Sequence, residues 1–274
     1  MFDMKAGLAL GVFALEALAA LGLVPPLAPV WFVAGDEERG SPGSRRLLVP
    51  LARAASRALV LEPALGPEGR LKLVRKGVGR FEITATGRAA HAGLDPAAGA
   101  NAISELARQI VHLERWAQGV PGLQLNVGRI EGGEAPNVVA AHARAVLDVR
   151  APEPDVAARC QAKLEQLRPH DPRVRLTVRG GFSRPPMPRT ARNVALAERA
   201  QALAHTLGFA LRCGEAGGGS DANLTSPFTP TLDGLGPVGA DAHAAGERVH
   251  LPSLPERAAL LALLLLEPAH TAGP

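Results

Sequence analysis

The first part of the chain alternates between long apolar stretches that predict helices and short ones that predict strands. A nearly continuous apolar run over 4–22 predicts a helix that is apolar on most sides and therefore deeply buried. The short apolar runs 28–34 and 58–62 are typical of strands inside a parallel sheet, and 43–56 predicts a helix between them. Such alternation indicates an α/β fold with a mostly parallel sheet and flanking helices.

The hydrophobic pattern changes after about residue 74. Residues 79–86 alternate apolar and polar positions, which predicts a strand covered on one face, and Ile103, Leu106, Ile110 and Leu113 form a helical stripe. The predicted elements are strand 79–86, helix 102–117, strands 123–130 and 138–150, helix 155–167 and strand 173–178. This βαββαβ order predicts a ferredoxin-like domain.

The helix and strand pattern of the first segment resumes after residue 187. The predicted elements there are helix 190–207, strands 210–215 and 229–235, and helix 253–266. We therefore expect a domain formed by 1–74 and 187–274, with residues 75–186 inserted into it.

The apolar N-terminal run also resembles a signal peptide or a membrane span. Asp3 lies where a signal peptide has basic residues, and Glu16 interrupts the apolar run. A buried carboxylate would be costly in a membrane span. These residues favour a helix buried against a sheet, and we expect a cytoplasmic protein with no membrane partner.

The amino-acid composition argues against several kinds of protein and site. The chain of 274 residues contains only two cysteines, which excludes a disulfide framework and a cysteine metal cluster. The formal net charge is only +4, the arginines are scattered, and aromatic residues make up 3% of the chain. These features argue against a nucleic-acid partner.

Acidic residues follow both predicted strands of the first segment. Glu37 and Glu38 lie in the motif GDEERGSPGSR just after 28–34, and Glu62 ends 58–62. Strand ends face the ligand crevice in α/β sheets, so one carboxylate could bind a metal while its neighbour accepts a proton from water. The alternative for the acidic run is a solvated turn. Asp3 precedes the first helix and could cap it, bind a metal, or do both with different oxygens.

Several later residues could contribute to a site, each with a structural alternative. His91 lies among small residues in GRAAHAGLDPAAGANAI, and His243 lies in the loop GPVGADAHAAGE. The glycines of GGGSDAN, 217–223, would let the backbone approach an anion, although no P-loop lysine follows them. Arg184, at the return from the insert, could bind a carboxylate.

Together these motifs resemble one family. In order along the chain they are FDMKAG, GDEERGSPGSR, VLEP, GRAAHAGLDPAAGANAI, GGEAPNVV, DVR, GGFSRPPM, GGGSDAN and GLGPVGADAHAAGE. The chain resembles the two-zinc metallopeptidases that include glutamate carboxypeptidase, the aminoacylases, acetylornithine deacetylase and succinyl-diaminopimelate desuccinylase. The glutamate carboxypeptidase branch is the most similar.

This resemblance implies roles for the acidic residues and for His243. Asp3 would bridge two zinc ions, Glu38 and His243 would complete one zinc site, and Glu62 would serve the other. Glu37 would be the general base.

The resemblance also implies roles for the substrate-binding residues. His91 and Asn137 would stabilise the oxyanion, with His91 reaching across a homodimer formed through the inserted dimerisation and lid domain. Arg184 would hold a substrate carboxylate together with the 217–223 segment, represented by Gly218, Gly219 and Ser220. Arg150 is a further candidate.

The resemblance further implies an upstream His-x-Asp segment that this sequence does not contain. We therefore expect an N-terminally truncated chain, arising from a misassigned start codon or a true truncation, with at most one tight zinc site. The expected function is zinc-dependent hydrolysis of an amide bond next to a free carboxylate, in small peptides or N-acyl amino acids, impaired in this chain. The alternative is a non-catalytic relic that acts as a dimerising, ligand-binding module.

Overall fold

The computed structural model describes residues 1–269, which form two compact units. Among the described residues, one unit comprises 1–75 and 187–269, and the other comprises Lys76–Pro186. Each unit has its own buried apolar core. The α/β fold class expected from the sequence is confirmed.

The Lys76–Pro186 unit is a four-stranded antiparallel sheet with two helices. Its elements are β3 (Gly77–Thr86), α3 (Ala102–Gln118), β4 (Gln124–Gly132), β5 (His142–Ala151), α4 (Pro154–Glu165) and β6 (Arg175–Arg184). The strand order β4-β5-β3-β6 is that of a ferredoxin-like fold. Phe81, Ile83 and Ala85 are fully buried on one face of β3, as their alternation predicts.

The other unit contains five helices and three short strand pairs. Its helices are α1 (Lys5–Ala20), α2 (Arg45–Ala54), α5 (Ala191–Thr206), α6 (Ala222–Thr225) and α7 (Ser253–Leu266). Its strands are β1 (Ala58–Leu59), β2 (Leu71–Arg75), β7 (Cys213–Ala216), β8 (Thr231–Leu232), β9 (Gly239–Ala240) and β10 (Arg248–Val249). The pairs β1–β8 and β2–β7 are parallel, and β9–β10 is antiparallel.

Helix α1 corrects one expectation about burial. Leu10, Ala14 and Leu18 are buried against α7, but Val12 and Phe13 on the other face are 43% and 52% exposed. The helix is therefore buried on one face only. No helix among residues 1–269 is both long enough and apolar enough to cross a membrane.

The predicted buried strand 28–34 is wrong. These residues form no strand, and Val30 and Val33 are 71% and 62% exposed. A strand exists only where its backbone groups pair with a neighbour, and no segment within 1–269 pairs with 28–34. The predicted strand 58–62 is shorter in the structure. Only Ala58 and Leu59 form β1, although Val60 and Glu62 continue to exchange backbone hydrogen bonds with residues 232, 235 and 236.

The buried face of α3 also differs from the predicted apolar stripe. Leu106 and Leu113 are buried, but Ile103 is 40% exposed, whereas the polar residues Glu105 and Gln109 are buried. The Glu105 carboxylate accepts hydrogen bonds from the backbone N–H groups of His170 and Asp171 and from the side chain of Gln109, at 2.7–3.1 Å. Because these donors satisfy the carboxylate, Glu105 can be buried in the core. The face of α3 that packs against the core is therefore not the predicted apolar stripe.

The pKa of Glu105 leads to a prediction about stability. Burial favours the neutral acid, but the hydrogen bonds outweigh burial and lower the pKa from 4.5 to about 2. The carboxylate therefore stabilises the fold above pH 4.5, and this contribution is lost as the pH falls towards 2. We expect Glu105→Gln to destabilise the Lys76–Pro186 unit by about 1–3 kcal/mol at pH 7 and by less near pH 2.

Hydrogen exchange of the β3 and β5 amides in the full chain measures this effect. Glu114→Gln, at an exposed position on the same helix, is the matched control. An equal loss of protection at pH 7 and near pH 2 would contradict the assignment.

Candidate metal centre

The acidic motif that follows 28–34 folds into a compact loop around Asp36. One carboxylate oxygen of Asp36 accepts the backbone N–H groups of Gly43 at 2.7 Å and Ser44 at 3.1 Å, and the Asp36 carbonyl accepts the N–H of Ser41 at 2.9 Å. Hydrogen bonds from Ser44 and Gly43 lower the pKa of Asp36. Asp36 therefore organises the turn in which Glu37 and Glu38 begin a short 3₁₀ helix.

Three residues that are distant in sequence meet beside this loop. The His243 Nε2 atom lies 3.0 Å from an Asp3 carboxylate oxygen and 3.3 Å from a Glu38 carboxylate oxygen. One ligand atom from each of Asp3, Glu38 and His243 lies within 4.8 Å of the other two. This is the one group of three potential ligands of this kind found among the described residues.

Local backbone interactions position two of these ligands. The Asp3 backbone N–H donates to the Glu247 carboxylate at 3.0 Å, just before α1 begins. His243 has a φ of +62°, a left-handed conformation that is uncommon for a residue with a Cβ and that recurs at functional sites.

The charges of this cluster suit a cation. The Glu38 carboxylate, followed by that of Asp3, raises the pKa of His243. Two carboxylates and an imidazole are a ligand set that zinc accepts, and three protein ligands leave a position open for water or substrate. The residues present therefore fit a catalytic metal ion, which would be held by Asp3, Glu38 and His243.

Glu62 lies apart from the three-residue group. The backbone at this point is enclosed tightly, because a Cβ on either Gly7 or Gly236 would lie within 2.4 Å of the Leu61 carbonyl oxygen. Burial and the negative charges of Asp233, Glu37 and Asp3 raise the pKa of Glu62 to about 8. Glu62 is therefore close enough to these acids for their negative charges to shift its pKa.

A buried cation that was not predicted from the sequence faces Glu62. The Arg75 side chain is 4% exposed, and its Nη2 atom lies 3.9 Å from a Glu62 oxygen. Its Nε donates to the fully buried Asp233 at 2.5 Å, and its Nη1 donates to the Gly218 carbonyl at 2.9 Å. The available signal was the alternation in β2, where Leu71, Leu73 and Arg75 share the buried face.

In the predicted substrate-binding segment 217–223, the serine side chain forms a hydrogen bond inside the protein. Ser220 is fully buried, and its Oγ donates to Asp233 at 2.7 Å. The backbone is open at Gly218, where an added Cβ would meet nothing within 4 Å, and Gly219 is half-buried. The short helix α6 begins at Ala222, near the end of this segment.

The remaining predicted site residues lie in the Lys76–Pro186 unit. His91 and Asn137 are exposed and lie on adjacent segments, since the Ala92 N–H donates to the Asn137 carbonyl at 2.9 Å. Arg150 makes a two-point hydrogen bond with Asp148 at 2.7 and 3.0 Å, and Arg184 is 4% exposed at the end of β6. Their roles in substrate binding stay predictions.

Comparison with known proteins shows which proteins the chain is similar to. The model of the M20 peptidase dimerisation domain matches residues 73–175. This segment is therefore similar to the dimerisation domain of the M20 peptidases. The chain is 28% identical over 239 residues to carboxypeptidase G2 of Pseudomonas sp., a match that covers 85% of this chain and 57% of that protein. It is 27% identical over 269 residues to succinyl-diaminopimelate desuccinylase 2 of Shewanella loihica, covering 92% and 71% of the two chains.

Solved structures of peptidases share the fold. Aminopeptidase PepT from Bacillus cereus aligns with a TM-score of 0.76 at 23% identity, covering 96% of this chain and 70% of that one. Bacillus subtilis YxeP, described as a dinuclear metal-binding peptidase of the M20 family, aligns with a TM-score of 0.67 at 17% identity, covering 94% and 70%. The chain spans little more than half of carboxypeptidase G2, the relative with which it shares 28% identity.

Removal of the His243 side chain tests the candidate metal centre. Changes in residues that only support metal ligands typically cost about 10–100-fold in affinity, so we expect His243→Ala to raise the Kd for Zn²⁺ by about 100-fold or more. Isothermal titration of the full chain measures this Kd. His250→Ala, an exposed histidine outside the cluster, is the control, and an equal Kd for the two variants would contradict the assignment.

Proposed function

We propose that the chain is a zinc-dependent hydrolase of the carboxypeptidase or amidohydrolase type. The observation that carries this proposal is the convergence of Asp3, Glu38 and His243 within 4.8 Å, beside a loop that also presents Glu37. Zinc would polarise the substrate carbonyl and make the water that attacks it more acidic.

The protein's own residues divide the remaining work. Asp3, Glu38 and His243 would hold the ion, and Glu37, the neighbour of a ligand, would accept a proton from the attacking water as general base. Because Glu37 precedes Glu38 in a turn that Asp36 holds by three hydrogen bonds, base and ligand keep a constant spacing.

The ligand set supports at most one tight zinc ion per chain. The group of three ligands does not include Glu62, whose carboxylate instead faces the Arg75 guanidinium at 3.9 Å. A cation already beside Glu62 weakens the attraction of that carboxylate for a metal ion.

The names of the relatives support the substrate class. One is a carboxypeptidase and another a succinyl-diaminopimelate desuccinylase, so they act on an amide next to a C-terminal carboxylate and on an acylated amino acid, respectively. We propose that this chain cleaves an amide bond next to a free carboxylate, in small peptides or N-acyl amino acids.

Glu37→Gln tests the division of roles. General base catalysis typically contributes about 10²–10⁴-fold, so we expect kcat to fall by that factor while zinc content is unchanged. The measurement combines metal analysis with hydrolysis of a panel of N-acyl amino acids and dipeptides by the zinc-loaded chain. Glu16→Gln, at an exposed position on α1, is the control.

Two outcomes would overturn parts of this proposal. Loss of zinc from Glu37→Gln would mean that Glu37 rather than Glu38 is the ligand. A zinc-loaded chain that hydrolyses nothing in the panel would contradict the proposed activity.

We also propose that the chain forms a homodimer through the Lys76–Pro186 unit. Most of this unit matches a dimerisation domain, and its outer strands β4 and β6 each have one edge unpaired within the described residues. Unpaired edges are sites where a strand of another chain can add. We expect light scattering to give twice the 28.4 kDa mass of one chain, and a monomer mass at every concentration would contradict this.

A further inference from the structure

A series of hydrogen bonds connects the loop that carries Glu37 and Glu38 to the segment 217–223. The Ser41 Oγ donates to the Asp221 carboxylate at 2.5 Å. Ser41 is fully buried and has a φ of +56°, so its backbone takes an unfavourable conformation that places the hydroxyl inside the unit. This hydrogen bond therefore attaches the loop that carries Glu37 and Glu38 to Asp221, 180 positions later in the sequence.

The segment 217–223 is connected in turn to the strand that faces Glu62. Ser220, the neighbour of Asp221, donates to one Asp233 oxygen at 2.7 Å, and the Arg75 Nε donates to the same oxygen at 2.5 Å. Arg75 also donates to the Gly218 carbonyl at 2.9 Å and lies 3.9 Å from Glu62.

We propose that Ser41, Asp221, Ser220, Asp233 and Arg75 form a positioning network, which holds the Glu37–Glu38 turn and the Glu62 carboxylate in fixed relation. The glycine-rich segment 217–223 is then the connector between them, and Ser220 is a positioning residue whose hydroxyl faces the interior. This inference deepens the function proposed above, because the acids it positions are the proposed base and metal-binding residues.

Charge and burial explain why a network is needed. Glu62 lies near the negative charges of Asp233, Glu37 and Asp3, which repel it. The buried Arg75 cation offsets this repulsion, but a buried guanidinium must itself be paired, and Asp233 provides the partner. Glu38, by contrast, has a side chain that is 64% exposed, so its position depends on the loop to which Ser41 belongs.

The first test is hydrogen exchange of the metal-free full chain. Ser220→Ala removes the hydrogen bond to Asp233, and we expect amide exchange over 36–44 to accelerate about tenfold although the lost bond lies elsewhere. Conversely, we expect Ser41→Ala, at the other end of the network, to accelerate amide exchange over 218–223. Thr231→Val is the matched control, because Thr231 is equally buried but its hydroxyl bonds to Thr225 and Thr229 outside the network.

The second test uses Co²⁺ as a spectroscopic probe of the ligands. We expect Ser41→Ala and Ser220→Ala each to change the visible absorption of bound Co²⁺ and to raise its Kd about tenfold. The double variant should be little worse than either single one, because both changes interrupt the same connection. A double variant of Ser41→Ala with Thr231→Val should show simple addition of the two single effects.

The outcomes separate this inference from the proposed function. Unchanged exchange over 36–44 in Ser220→Ala would overturn the network, and so would additive effects of Ser41→Ala and Ser220→Ala on the Kd. If the unaltered chain binds no Co²⁺, the proposed function fails while the exchange experiment still decides on the network. Ser41→Ala lies in a loop outside the helices and strands, so it provides the test if Ser220→Ala does not fold.

Discussion

Mutual repulsion among neighbouring carboxylates is the constraint on which the candidate site depends. Burial and the negative charges of Asp233, Glu37 and Asp3 raise the pKa of Glu62 to about 8. Acids this close favour protonation unless cations compensate them. In this site His243 lies beside Asp3, and the buried Arg75 lies beside Glu62. A metal ion bound at Asp3, Glu38 and His243 would add to this compensation.

The acidic residues of the candidate site lie in loops and at the ends of short elements, not along an extended sheet. The unit that carries the acids contains only short strand pairs, and its potential metal ligands come from the start of α1, the 36–44 turn and the loop after β9. The buried Arg75 and Ser220 side chains both donate to Asp233, and Ser41 of the 36–44 turn donates to Asp221, the neighbour of Ser220. The same unit exposes apolar residues on α1 and over 28–34, so core packing alone does not determine the site.

The predictable and unpredictable parts of the structure differ in physical origin. The alternation of Phe81, Ile83 and Ala85 predicted β3 correctly, because burial on one face of a sheet leaves a period of two in the sequence. The proximity of Asp3, Glu38 and His243 followed from the resemblance to a family, since no local pattern relates residues more than 200 positions apart. Their roles as ligands stay predictions.

Other features could not be predicted because they depend on partners that only the folded chain reveals. The apolar run 28–34 predicted a strand, but strand formation requires a neighbour that the described residues do not provide. Glu105 occupies a core position because hydrogen-bond donors from 170 and 171 surround it, and those donors lie 65 or more residues away. Arg75 gave a local signal, a charged residue on an apolar face, but its partner Asp233 lies 158 residues further on.

The most direct test of this account is a crystal structure of the zinc-loaded chain with anomalous scattering measured at the zinc edge. We expect one strong peak per chain, about 2.0–2.2 Å from ligand atoms of Asp3, Glu38 and His243, while Arg75 still faces Glu62. A peak at any other set of ligands, or a second peak of equal height bound by Glu62, would contradict it.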